Sequence, residues 1–215
     1  MEPEPNKKNR LAYIKREDLI KKADEFLNSY YPKRKIPIPI EEIVEIKLGF
    51  KIIAVPDLKN EINTDSYICI DQKTIVFDKN IYNNYVARTR FSYAHEIGYY
   101  YLHKNFETFY GIKNREDYKK FQNSITIEEY KRLEAQAYCF AGYVLVPQKE
   151  FRNLVSELMK RLGSIDSLTI NDFTEIAQNL SKEFDVSGEV IRRQFEQEYP
   201  ELIDRITKMV TRRSI

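Results

Sequence analysis

One stretch constrains this chain more than any other: Asn84 to His103, where Val86, Phe91, Ala94, Ile97, Gly98 and Leu102 recur at helical spacing. A helix with that stripe must lie against a core. Embedded in it is the sequence His95-Glu96-Ile97-Gly98-Tyr99. A helix bearing His-Glu-x-x-His can grip one zinc ion, because residues i and i+4 lie one above the other while the intervening glutamate reaches the metal-bound water. The metal polarises a carbonyl and acidifies the water, and the glutamate takes the proton. Here His95 stands as first ligand and Glu96 as general base, but position 99 is tyrosine. Its phenol ordinarily titrates near 10 and would have to ionise under the metal's pull. Its oxygen also projects farther from the backbone than an imidazole nitrogen. The other histidine, His103, lies eight residues from His95, about 12 Å along the axis, and cannot complete the same site. On spacing alone the His-Glu pair reads as a two-residue coincidence on an amphipathic helix, and a zinc expectation, weakly held or absent with Tyr99 in place, rests on the resemblance that the longer segments around it carry.

The pattern around this helix is mixed. Residues 1–15 read as a tail, and residues 1–10 carry charges and prolines without the apolar stretch of a secretion signal. Leu19, Ile20, Ala23, Phe26 and Leu27 predict a helix over Glu17–Tyr30, and a short helix over Ile40–Leu48 closes at Gly49. Phe50–Val55, Ser66–Ile70 and Thr74–Phe77 read as strands, with Asp71-Gln72-Lys73 as a hairpin turn. Lys104–Thr126 reads as an irregular insertion with one helical turn. Helices are expected at Ile127–Leu145, Lys149–Leu162, Asn171–Phe184 and Ser187–Tyr199, with Asn171 and Ser187 as N-caps. The expected class is α+β. The expected division is a main domain over 16–150, with a helical extension over 151–215 packed on it.

Two longer segments carry a resemblance. Arg90-Phe91-Ser92-Tyr93-Ala94-His95-Glu96-Ile97-Gly98-Tyr99-Tyr100-Tyr101-Leu102-His103 resembles the signature of the ImmA/IrrE family, in which position 99 is histidine. Glu134-Ala135-Gln136-Ala137-Tyr138-Cys139-Phe140-Ala141, followed by Val144-Leu145-Val146-Pro147, is similar to that family's second motif, with Tyr138 where asparagine is usual. The Pro37–Ile43 region leading into Phe50, and Phe184–Ser187 with Val190 and Arg193, extend the likeness to roughly residues 16–196. The resemblance implies a zincin-like metallopeptidase domain: a small sheet, an active-site helix and further C-terminal helices. It implies Glu134 as third zinc ligand beside His95, with Tyr99 in the second position, and hydrolysis of a protein such as a transcriptional repressor. A second reading from the same residues is a pseudopeptidase that keeps the groove and binds a partner protein in phage, mobile-element or stress regulation.

Composition narrows the rest. Lys and Arg number 35 against 33 Asp and Glu, so the chain lacks the basic excess of a dedicated nucleic-acid binder. Two cysteines, Cys69 and Cys139, do not make a disulfide framework, and a cytoplasmic location is expected, with no membrane span. Cys139 lies about 140° round its helix from Glu134 and is expected to face elsewhere. Among the other charged groups, Arg90 reads either as paired with a carboxylate or, as is commoner for a charge at a helix start, as exposed, and His103 as a structural histidine at a helix end. Arg192, Arg193, Arg212 and Arg213 read as a solvated face balanced by Glu196, Glu198 and Glu201.

Overall fold

In the computed structural model, which describes residues 11–103, 111–162 and 167–213, the periodic segments become helices wrapped around a three-stranded sheet. Helix α1 (Arg16–Tyr30) buries Leu19, Ala23, Phe26 and Leu27, a stripe at i, i+4, i+7 and i+8. A single turn, α2 (Ile40–Glu42), continues as a π turn over Ile43–Lys47 and stops at Gly49, whose φ of +71° is a conformation that only glycine adopts without strain. Strand β1 (Lys51–Val55), helix α3 (Leu58–Ile62), strand β2 (Ser66–Cys69) and strand β3 (Thr74–Asp78) follow. β2 and β3 form the expected antiparallel hairpin, turning through Ile70–Gln72 and Lys73. The pattern did not reveal that β1 pairs in parallel with β3, which makes the order β1-β3-β2 and leaves β2 at an edge. Central β3 is buried throughout, as a strand flanked on both sides must be.

A short helix that was not foreseen, α4 (Lys79–Asn84), is capped by Asp78, which accepts from the Asn80 and Ile81 amides; after a break at Tyr85 comes the helix predicted from Asn84 to His103, found as α5 (Val86–His103). Val86, counted in the apolar stripe, is exposed at this break. The expected irregular insertion contains a full helix, α6 (Arg115–Ser124), capped by Asn114 and burying Tyr118 and Phe121; residues 104–110 of the insertion lie outside the described residues. Its polarity hid the pair of aromatics that hold it down. Helix α7 (Ile127–Leu145) starts in a Thr126–Glu129 capping box, and α8 (Gln148–Leu162) follows. Helix α9 (Ile170–Phe184) is capped by Thr169 with Asp172, not by Asn171, because the Thr169–Asp172 pair satisfies two amides at once. Ser187 caps α10 (Gly188–Glu198) as expected. A last helix, α11 (Pro200–Arg213), was not foreseen; it opens on a proline and buries Leu202 and Ile206 one turn apart. The class is α+β.

Close approach of α5 to α7 sets the site. A Cβ on Gly98 would stand 3.1 Å from Ala137 Cα and 3.2 Å from the Ala137 carbonyl, so glycine here lets the two backbones nearly touch. Two buried polar clusters fasten the flanks. Arg90 takes the carboxylate-paired reading and not the exposed one, and it is buried: its guanidinium donates to Glu41 at 2.9 Å, to the Ile38 carbonyl at 2.7 Å and to the Asp185 carbonyl at 3.0 Å. Those partners lie 49, 52 and 95 residues away, so no local pattern announces them. Glu198, read as part of a solvated face, has a fully buried carboxylate held by Arg16 at 2.6 Å, Tyr143 at 3.0 Å, Gln148 at 2.9 Å and Arg152 at 2.6 Å. Burial alone would push its pKa up, but these donors hold it below the usual carboxylate range.

Candidate functional site

Ser92, His95, Glu96 and Tyr99 project from one side of α5 into a cleft of about 410 Å³. They share that side because steps of three and four return to the same face. The segment from Asn63 to Ser66, entering edge strand β2, forms one wall, and Tyr118, Tyr130 and Glu134 form another. Ser187 and Val190, where α10 begins, close the end.

Glu134 reaches His95 across the interface that Gly98 permits: His95 Nε2 and Glu134 Oε2 are 3.5 Å apart. Tyr99 lies edge-on to the His95 ring, centroids 4.9 Å apart, and its hydroxyl donates to the other Glu134 oxygen, Oε1. Tyr130 donates to the same carboxylate. Burial by itself would raise the Glu134 pKa, but hydrogen bonds from His95, Tyr99 and Tyr130 bring it below the usual value. His95 responds in the opposite sense. Burial would lower its pKa, whereas the bond to Glu134 and the charges of Glu134 and Glu96 raise it. Glu96 lies behind, 3% exposed, with Ser66 Oγ donating to its Oε1 at 2.7 Å. Burial pushes its pKa up to about 7.

The donor set can be tested against zinc. A peptidase site supplies three lone-pair donors and leaves a fourth position for water. Among the described residues no group of three or more His, Cys, Asp or Glu side chains stands close enough to hold an ion. Tyr99 does not fill the gap. Burial and the nearby Glu134 charge drive its pKa well above 10, and its proton is already given to Glu134. To coordinate, the phenol would have to ionise in a buried pocket beside a carboxylate and give up that bond. The residues present do not fit a three-ligand zinc site.

Apart from Tyr138, which lines the cleft, the other singled-out residues fall away from it. Cys139 turns toward Gln197, its Sγ 4.0 Å from Oε1, and both cysteines are free. His103 is buried at the end of α5, and burial lowers its pKa to about 4. Arg192 pairs with Glu189 and Glu196, the balanced surface that charge patterning implied, while the side chains of Arg212 and Arg213 lie outside the described residues. Tyr138, in place of asparagine, packs on Phe91 with ring centroids 4.6 Å apart, and the Arg193 guanidinium lies 5.0 Å from its ring centre.

Sequence reasoning missed several cleft residues. Ser66, which orients Glu96, is 30 residues upstream on another element, and nothing local marks it. Asp65, gripped at the cleft mouth by Lys59 at 3.1 Å and Arg88 at 2.8 Å, is equally silent. Tyr130 was legible. It lies four residues before Glu134 on the same helix, so its presence beside that carboxylate follows from helical spacing.

The comparisons with known proteins bear on this geometry. No curated protein matches the chain. A family model does: the one described as IrrE N-terminal-like domain, Peptidase_M78, matches residues 57–196. That span takes in the cleft from Lys59 to Val190, both motif helices and edge strand β2.

Proposed function

We propose, for a chain that belongs to the family of IrrE N-terminal-like domains, that its zincin-like cleft holds a peptide segment of a partner protein and does not cut it. The family brings a metallopeptidase-like fold, generally zinc-dependent chemistry and a protein as the molecule acted upon. In such enzymes the zinc supplies Lewis acidity and a reactive water. No hydrolytic step is assigned to the present cleft. The observation that carries this reading is the Tyr99 hydroxyl donating to Glu134, which spends one second-ligand position and one carboxylate on each other.

The peptide-binding half of the reading rests on the cleft itself, a space of about 410 Å³ lined by the Asn63–Ser66 segment and by the rings of Phe91, Tyr118, Tyr130 and Tyr138. Among the described residues no strand pairs with the outer side of β2, but Ser66–Cys69 are all buried, so a bound segment enters the cleft and does not extend the sheet. The partner on this reading is a regulatory protein of the repressor or antitoxin kind, met in the cytoplasm. No helix among the described residues is long and apolar enough to cross a membrane.

The test is to incubate the purified chain with a library of random dodecamer peptides, with added zinc and separately with chelator, and to follow capture and cleavage by mass spectrometry. The expected result is the same captured, intact peptides under both conditions. Zinc-dependent cleavage products would establish the competing reading, a working peptidase with Tyr99 as phenolate ligand.

A further inference from the structure

The cleft floor carries a charge that its surroundings leave unanswered. Glu96 receives one hydrogen bond, from Ser66 to Oε1; its second oxygen has no donor among the described residues and is open to the cleft. The neighbouring charges are already engaged. Asp65 is held by Lys59 and Arg88, both of which reach solvent at the mouth. Glu134 takes His95, Tyr99 and Tyr130. What remains is one buried carboxylate at the bottom of a space walled by Phe91, Tyr118, Tyr130 and Tyr138.

A metal ion would need several lone-pair donors at once, which Tyr99 and Glu134 withhold. A side-chain cation needs less: one carboxylate for its head and an apolar sleeve for its stem. Aromatic faces add attraction for a cation passing between them. We infer that the cleft recognises a lysine or arginine side chain of the bound peptide, its charged head paired with Glu96 and its aliphatic stem between the aromatic walls. This deepens the peptide-capture reading and rests on it, adding which residue the peptide must carry. The mouth adds a second condition. Lys59 and Arg88 repel a run of positive charge, so an isolated basic residue fits better than a polybasic segment.

Two probes that differ only in charge test this. N-acetyl-arginine amide and its near-isostere N-acetyl-citrulline amide are titrated at pH 8 into the isotopically labelled full chain, with binding read from NMR shifts. Arginine should bind about tenfold tighter or more, the scale of a hydrogen bond to a charged group. Glu96→Gln should bring the ratio close to one, and Ser66→Ala, which keeps the carboxylate, should retain the preference. Equal binding of the two probes to the unaltered chain overturns the inference, as does a preference that survives Glu96→Gln. Should the Gln variant fail to fold, the unaltered chain and Ser66→Ala still decide: loss of the arginine preference in either one refutes the pairing.

The dodecamer library separates this inference from the reading beneath it. Captured peptides enriched in single lysine or arginine support both. Captured peptides without that enrichment refute the inference alone. An arginine preference with no captured peptide, or with zinc-dependent cleavage, refutes the capture reading and leaves the cation site standing.

Discussion

Tyr99→His is the perturbation that most directly tests the donor argument. Position 99 lies one turn beyond His95, and its side chain already touches Glu134, so a histidine there would complete a His₂Glu set with a fourth position open to water. Without metal the variant should be less stable than the original. Tyr99 is 5% exposed, and losing its bond to a carboxylate together with part of its ring costs about 2–3 kcal/mol. For a chain of this length 1 kcal/mol moves Tm by about 2–4 °C, so the metal-free variant should melt about 5–10 °C lower. Zinc at a hundred times its Kd returns about 2.7 kcal/mol and should restore most of that loss. Thermal melts with zinc and with chelator, alongside zinc content by mass spectrometry, read both effects. The unaltered chain should not shift with zinc and should retain less than one equivalent after dialysis. Adding Glu96→Gln to the variant should abolish any hydrolysis it gains and spare its metal, because Glu96 acts on water. If the unaltered chain keeps a full equivalent, Tyr99 is a ligand and the reasoning from its proton is wrong. If Tyr99→His gains no zinc, the helix never presented a metal site.

Three further perturbations have worked outcomes. Glu96→Gln should stabilise the chain above pH 7: a buried carboxyl raised from 4.5 to about 7 binds its proton more tightly when folded, so stability drains away as pH rises across that window. The gain should approach about 3 kcal/mol at pH 8 and vanish below pH 4.5, and denaturant melts that show the same difference at both ends would refute the assignment. Gly98→Ala should cost about 1 kcal/mol net, since overpacking against the Ala137 backbone outweighs the improved helix propensity; a rise in Tm would show that α5 and α7 are not in close contact there. Glu198→Ala should destabilise by about 3 kcal/mol, the low end for a broken buried pair because Arg16 and Arg152 can turn to solvent, and an unchanged urea midpoint would remove Glu198 from the framework.

Local pattern alone located most elements. Alternating and 3.6-residue periodicities are short-range consequences of which face is buried, so α1, the β2–β3 hairpin and α7 could be read within a residue or two. The sequence likewise put His95, Glu96 and Tyr99 on one helical face, because their spacing is intrinsic to the helix. It did not show the short helix α4 ahead of Tyr85, or that the polar insertion holds a helix, since two buried aromatics suffice to anchor α6.

Everything that joins distant segments belonged to the tertiary structure. The parallel pairing of β1 with β3, the burial of Arg90 against Glu41 and Asp185, and the closure of Glu198 by α1 and α8 depend on partners 23 to 182 residues apart, a separation over which neither periodicity nor propensity carries information. The same holds at the cleft. The motif named Tyr99 as the odd residue, but only the packing of α5 on α7 decided what its hydroxyl does, because a phenol buried beside a carboxylate keeps its proton and donates it.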